Sequence, residues 1–195
     1  KMKINFSNKI VLITGGTNGI GKELVKLFLS LGAQVLATTT KRNIKSKKKK
    51  LRIEYLNFLD QNSLNNFFNK INKLKKIDVL INNAGINKVD NINEIKDQDL
   101  KRIYEVNLKG PILMTKNISK IMIKKKTGKI VNISSIFGVI SRSGRSMYSS
   151  TKFGLLGLTK SSALDLANYN ILVNAVSPGF ILTNLTKKTL SKNEI

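Results

Sequence analysis

The sequence predicts an α/β protein: a doubly wound parallel sheet of six strands between two layers of helices. Three observations predict it. Short β-branched, apolar runs alternate along the chain with segments whose apolar residues keep helical spacing. The first such run ends in a cluster of glycines, the junction at which a buried strand turns into a helix. No internal repeat or Pro/Gly-rich linker interrupts the alternation, so the 195 residues are read as one domain, 1–195. Strands alternating with helices imply parallel pairing through right-handed crossovers, and hence three layers.

Residues 10–14 form the first strand, apolar on both faces. A helix follows, with Ile20, Leu24, Leu27, Phe28 and Leu31 on one side and Gly32 as its C-terminal cap. Residues 34–39 make the second strand. Residues 41–50, with Lys47 to Lys50 in succession, are too charged for core and are expected to be a loop or a frayed helix. The third strand is 52–58, and Leu64, Phe67, Phe68 and Ile71 mark a helix over 61–74. The fourth strand, 77–81, ends at Asn82-Asn83-Ala84-Gly85. A long helix over 97–126 should be interrupted near Gly110-Pro111, where proline forces a kink or a break. The fifth strand is 129–134, a helix follows over 148–167, and the sixth strand, 171–176, stops at Pro178-Gly179.

Composition removes whole classes of chemistry. With no Cys there is no disulfide framework or thiolate, and with no His there is no serine–histidine triad and no commonplace metal ligand; no metal is expected. The N-terminus has no apolar signal-peptide core, and no run approaches the ~20 apolar residues of a membrane span. A cytoplasmic protein without membrane contact is expected. The net charge of +24 raises nucleic acid as a partner. However, the cations are 30 Lys against 5 Arg, beside 23 Asn and 24 Ile. Phosphate and base recognition favours Arg, whereas Lys, Asn and Ile share A/T-rich codons. The charge is read as compositional background, with no specific nucleic-acid role.

Two groups of residues carry chemistry. In Thr14-Gly15-Gly16-Thr17-Asn18-Gly19-Ile20-Gly21, Gly15 allows a tight turn, Gly19 lets backbone approach a pyrophosphate, and Gly21 permits close packing of helix on sheet. The helix N-terminus beyond offers free N–H groups to phosphate. A purely structural turn would need fewer glycines. Tyr148 and Lys152, four apart, share a helix face. An ammonium beside a phenol stabilises phenolate and lowers its pKa from about 10, making Tyr148 an acid or base towards a carbonyl or alcohol. Such a pair is common on ordinary helices. Its interest comes from Ser134-Ser135, which ends the fifth strand at the edge where open α/β sheets place their sites.

The glycine loop, Asn82-Asn83-Ala84-Gly85, Ser135, Tyr148-x3-Lys152 and Pro178-Gly179 stand in the order and approximate spacing of the short-chain dehydrogenase/reductase family. The chain resembles that family over about 5–191, nearest to 3-oxoacyl-carrier-protein reductases and related sugar or polyol dehydrogenases. The resemblance implies a Rossmann-like fold and a nicotinamide-dependent oxidoreductase with catalytic Asn107, Ser135, Tyr148 and Lys152. Ser135 is preferred over Ser134 because it precedes Tyr148 by thirteen residues. It further implies that Gly15, Thr17, Asn18, Gly19, Ile20 and Gly21 surround the cofactor phosphates. Asp60 would contact adenine, unless it serves only as a helix cap. Asn83, Ala84 and Gly85 would border the adenine ribose, and Tyr148 and Lys152 the nicotinamide ribose. Pro178, Gly179, Ile181 and Thr183 would meet the carboxamide and phosphate.

Cofactor choice turns on the end of the second strand. NAD-preferring relatives place an acidic residue there. This chain has Thr38-Thr39-Thr40-Lys41-Arg42, hydroxyls followed by two cations, which suit a 2′-phosphate. Thr39, Lys41 and Arg42 therefore favour NADP, with NAD possible, since the glycine loop lacks the basic residue of many NADP-preferring relatives. The expected substrate is a small carbonyl or alcohol. Arg142 and Arg145 are candidates to meet an acidic or phosphopantetheine-bearing one. A homo-oligomer, dimer or tetramer, is implied. The resemblance also places Ile195 inside a substrate-loop helix, before the family's last helix and strand, which would leave the sixth strand an exposed edge. Two readings compete with an enzyme: an idle nucleotide-binding or interaction module, and a polyanion binder using the lysine surface.

Overall fold

The computed structural model describes residues 4–183 and Thr186. Three strands are buried on both faces and form its centre: β1 (Ile10–Ile13), β2 (Gln34–Thr39) and the third of them, β4 (Val79–Asn82), which follows β3 (Leu51–Tyr55) in the chain. With β5 (Gly128–Ile133) and β6 (Ile171–Val176) they make one parallel sheet, in the order β3-β2-β1-β4-β5-β6. The doubly wound architecture expected from the sequence is the one observed.

The helices are α1 (Gly19–Ser30), α2 (Gln61–Ile71), α3 (Asp97–Tyr104), α4 (Gly110–Lys125) and α5 (Ser146–Leu166). Strand alternation sorts the core between the two faces. Val11, Ile13, Val35, Ala37, Val79 and Ile81 pack against Val25, Leu24 and Phe28 of α1. The intervening residues Leu12, Leu36, Leu80 and Ile130 face α2 and α4, through Leu64, Phe67, Met114, Ile118 and Met122. Sheet order reverses at β1, whose neighbours are β2 and β4. Their carboxyl ends therefore leave a crevice between the connections to α1 and from β4.

Two predicted boundaries move, each for a local reason. The third strand was expected over 52–58, but its ladder ends at Tyr55. Beyond it the Asn57 N–H donates to the Ser63 hydroxyl at 2.9 Å, and the Asp60 carboxylate accepts from the N–H groups of Asn62 and Ser63, which starts α2. The helix over 97–126 is interrupted beside Gly110-Pro111, as expected, though without a full break. It continues through a π-helical turn, Glu105–Lys109, and Pro111 takes a place in the first turn of α4. Proline cannot donate to the carbonyl four residues back, that of Asn107, and the helix widens at that point. The loop 41–50 is a loop as expected. Among the described residues, no helix is long and apolar enough to cross a membrane.

Beneath the carboxyl edge, β4 and β5 are joined by side chains. Asn82 and Asn132 stand in register; the Asn82 amide donates to Asn132 Oδ1 at 2.8 Å, and the Asn132 amide donates to the Thr159 hydroxyl of α5 at 2.9 Å. Asn132 is fully buried. Removing its amide strands donor and acceptor at once, and groups buried without partners are costly. Asn132→Ala is expected to lower unfolding free energy by about 2–4 kcal/mol in urea titration; a loss below about 1 kcal/mol would show the network to be dispensable.

Candidate active site

The glycine loop closes on β4 rather than standing free. The Thr14 hydroxyl accepts the N–H groups of Asn83 at 2.9 Å and Ala84 at 3.0 Å. In return the Asn83 amide donates to the carbonyls of Thr14 at 2.9 Å and Gly15 at 3.2 Å. From the other side, the Thr38 hydroxyl accepts the Gly15 N–H at 3.2 Å. Gly21 sits so close beneath this knot that a Cβ would lie 2.3 Å from the Gly15 carbonyl oxygen. No side chain caps α1, whose N-cap is Asn18 and whose first turn carries no acidic residue. Its first N–H groups are left for an anion.

From there a cleft of about 340 Å³ runs along the carboxyl edge of the sheet. Gly15, Thr17, Asn18, Gly19 and Ile20 line one end; Asn83, Ala84 and Gly85 line its floor. Ser135, Tyr148 and Lys152 stand at the far end, with Pro178, Gly179, Ile181 and Thr183 along the side. Thr39 and Lys41 reach the cleft from β2, where the Thr17 hydroxyl donates to that of Thr39 at 3.2 Å. Three expected cofactor contacts are not on its wall. Gly21 lies beneath the loop, Arg42 turns outward, and Asp60 Oδ1 serves as the cap of α2. Arg42 and Asp60 instead approach each other at 4.0 Å.

Asn107 also lies behind the wall, fully buried in the π-helical turn. It accepts the Ile86 N–H at 2.9 Å and donates to the Ile86 carbonyl at 2.8 Å. That two-point bond fixes the chain directly after Gly85, a task no polar residue of an ordinary helix would have.

The two serines separate. Ser134 donates to the Lys152 carbonyl at 3.1 Å, a purely structural bond. Ser135 accepts the Phe137 N–H at 3.2 Å and hydrogen-bonds Tyr148. Lys152 is 4% exposed; its Nζ donates to the Ile133 carbonyl at 2.8 Å and lies 5.5 Å from the Tyr148 ring centroid. Burial lowers its pKa to about 8. Burial also pushes the Tyr148 phenol above its usual value, against the opposing Ser135 hydrogen bond and the charge of Arg145. The Tyr148 phenol thus stands above its usual value, where the sequence led to the expectation of one lowered by Lys152. Desolvation penalises the charged form of both groups.

Arg145 is the residue that sequence reasoning undervalued. It is 1% exposed, with its guanidinium carbon 5.3 Å from the Phe137 ring centroid, while Phe137 packs edge-on against Tyr148. An arginine three positions before the tyrosine was the only available signal. Thr14 and Thr38, which tie the glycine loop, gave none beyond ending their strands. Among the described residues, no group of three or more His, Cys, Asp or Glu is placed to hold a metal.

The comparisons agree with this geometry. Residues 9–194 match the short-chain dehydrogenase model, and the chain belongs to that family of NAD(P)-dependent oxidoreductases. It is 40% identical to 3-oxoacyl-acyl-carrier-protein reductase FabG of Aquifex aeolicus, over 95% of this chain and 79% of the relative. To the Thermotoga maritima FabG it is 38% identical, over 97% and 80%. Among solved structures, ElxO with NADP bound superposes with a TM-score of 0.84 at 36% identity, covering 92% of this chain and 77% of ElxO. A Leptospira borgpetersenii short-chain dehydrogenase with bound NAD+ gives 0.84 at 31%, covering 94% and 75%.

The depressed Lys152 pKa makes a stability prediction. Below about pH 8 the fold carries a buried ammonium at a cost of about 3 kcal/mol; the cost fades as pH rises from about 8 towards the unfolded value of 10.5. Lys152→Met removes the charge and leaves the Ile133 carbonyl one donor short, a loss of about 1 kcal/mol. The variant should therefore melt about 4–8 °C higher near pH 7, with the gain shrinking above pH 8. A variant that melts no higher than wild type at pH 7 contradicts this.

Proposed function

We propose that the protein reduces a carbonyl to a secondary alcohol, reversibly, and that its substrate is a 3-oxoacyl thioester. The single observation carrying the reaction is the hydrogen-bonded pair Ser135 and Tyr148, with Lys152 beside it, at the end of a cleft that begins at the uncapped N-terminus of α1. The names of the FabG relatives support the thioester as substrate.

The residues fit a dinucleotide. The backbone of Gly15–Ile20 and the N–H groups of α1 hold the pyrophosphate, with Gly21 beneath them. Asn83, Ala84 and Gly85 border the adenine ribose, and Asp60 lies near adenine. Ile181 and Thr183, after Pro178 and Gly179, reach the carboxamide and a phosphate. When bound, the nicotinamide supplies the hydride. Tyr148 donates the proton to the carbonyl oxygen or takes it back from the alcohol. The hydroxyls of Ser135 and Tyr148 hold the oxygen as it gains charge. Lys152 binds the ribose hydroxyls and stabilises phenolate, and Asn107 keeps the adjoining segment in place. NADP is preferred over NAD, because Thr17, Thr39 and Lys41 offer hydroxyls and a cation where a carboxylate would repel a phosphate. The active form is a cytoplasmic homo-oligomer, a dimer or tetramer.

NADPH oxidation with acetoacetyl thioesters, keto sugars, quinones and steroids tests the reading; thioester turnover above the others is expected. Tyr148→Phe should lower kcat by at least about 10³-fold while the Kd for NADPH stays within about twofold. Retained turnover would refute the role of Tyr148. Binding of nucleotide without turnover of any compound would favour an idle module instead. Thr39→Asp should move the NADPH/NADH ratio of kcat/KM towards NADH by about tenfold or more; an unchanged ratio defeats the assignment of Thr39.

A further inference from the structure

The end of β2 carries two cations, and the structure sends them in different directions. Lys41 faces the cleft, whereas Arg42 folds back over β3. The Arg42 guanidinium carbon lies 4.9 Å from the centroid of the Tyr55 ring. Tyr55 is the last residue of β3 and stands in register with Thr39, so its half-buried ring rises beside the Thr39 hydroxyl on the same face of the sheet. One Arg42 terminal nitrogen is 4.0 Å from Asp60 Oδ2, while Asp60 Oδ1 is tied to the backbone of α2. Ring and carboxylate are thus both fixed by secondary structure. An arginine side chain as exposed as this one, 73%, would otherwise sample many rotamers.

We propose that Tyr55 is a specificity-determining positioning residue: its ring holds Arg42 at the rim of the cleft, poised for the 2′-phosphate of NADP. The proposal rests on the nucleotide-binding reading above. Its physical basis is that a guanidinium uses its face to stack and its edge to hydrogen-bond. Lying on Tyr55 occupies the face and leaves N–H groups along the edge for phosphate oxygens. The Asp60 contact is long and solvent-exposed, so it competes weakly with a dianion making charge-assisted bonds. A 2′-hydroxyl, as in NAD, carries no charge and gains little from a guanidinium placed there. Tyr55 therefore discriminates without touching the nucleotide itself.

Titration of the whole protein with NADPH and with NADH, followed by nucleotide fluorescence without substrate, tests this. Wild type should bind NADPH more tightly. Tyr55→Leu should weaken NADPH about three- to fivefold and leave NADH within twofold, which also reports an intact fold. Tyr55→Phe keeps the ring and should keep wild-type values. In an Arg42→Ala background, Tyr55→Leu should have no further effect on NADPH. Equal weakening of both nucleotides, an unchanged ratio, or an undiminished Tyr55→Leu effect in the Arg42→Ala background would overturn the role of Tyr55 alone. Wild type that binds neither nucleotide would overturn the nucleotide reading, and wild type that prefers NADH would overturn the NADP preference; either takes this proposal with it.

Discussion

The Lys152 ammonium lies where water scarcely reaches, held by the Ile133 carbonyl at the end of β5. Its surroundings follow from that placement. The Lys152 carbonyl is tied by Ser134, which draws α5 against the strand end. Gly138 passes through the gap that remains; a Cβ there would lie 2.5 Å from the Ser134 hydroxyl and 2.9 Å from the Lys152 carbonyl oxygen. Asn107, in the widened turn of its helix, anchors Ile86 on the opposite side. An ammonium without these neighbours would either stay solvated or lose its proton.

The other end of the cleft obeys a different constraint. Strand order reverses at β1, so the connections from β1 and β4 leave in opposite directions and a gap opens between them. Thr14, Thr38 and Asn83 close that gap with backbone-directed bonds and leave the N-terminus of α1 exposed to whatever enters. The fold therefore brings the uncapped N-terminus of α1 and the group Ser135, Tyr148 and Lys152 onto one edge of the sheet. Among the described residues, the basic side chains buried in the structure are Arg145 and Lys152.

What was legible in the sequence was what local pattern encodes. Apolar runs gave the six strands, and helical spacing gave α1, α2 and α5 to within a few residues. The site residues of the glycine loop and Tyr148-x3-Lys152 were visible because they are close in sequence. What stayed hidden depends on partners far along the chain. Asn107 acquires its meaning from Ile86, twenty-one residues earlier. Arg42 lies over Tyr55, beside the cleft wall and not on it, a contact that depends on the pairing of β2 with β3. The interruption expected near Gly110-Pro111 takes the form of a widened turn at Glu105–Lys109, because proline marks a disturbance without saying on which side it is absorbed.

Burial sets the resting protonation of the proposed reaction. It raises the Tyr148 phenol and so keeps a proton on it, the state needed to reduce a carbonyl. It lowers Lys152 to about 8, so the ammonium is a charge held with difficulty at neutral pH. Each shift comes from the cost of a lone charge in a dry place. Arg145 differs because a guanidinium does not titrate. Its constant positive charge lowers the cost of phenolate whether or not Lys152 holds its proton, which gives a buried arginine on Phe137 a function that its loop position in the sequence does not suggest.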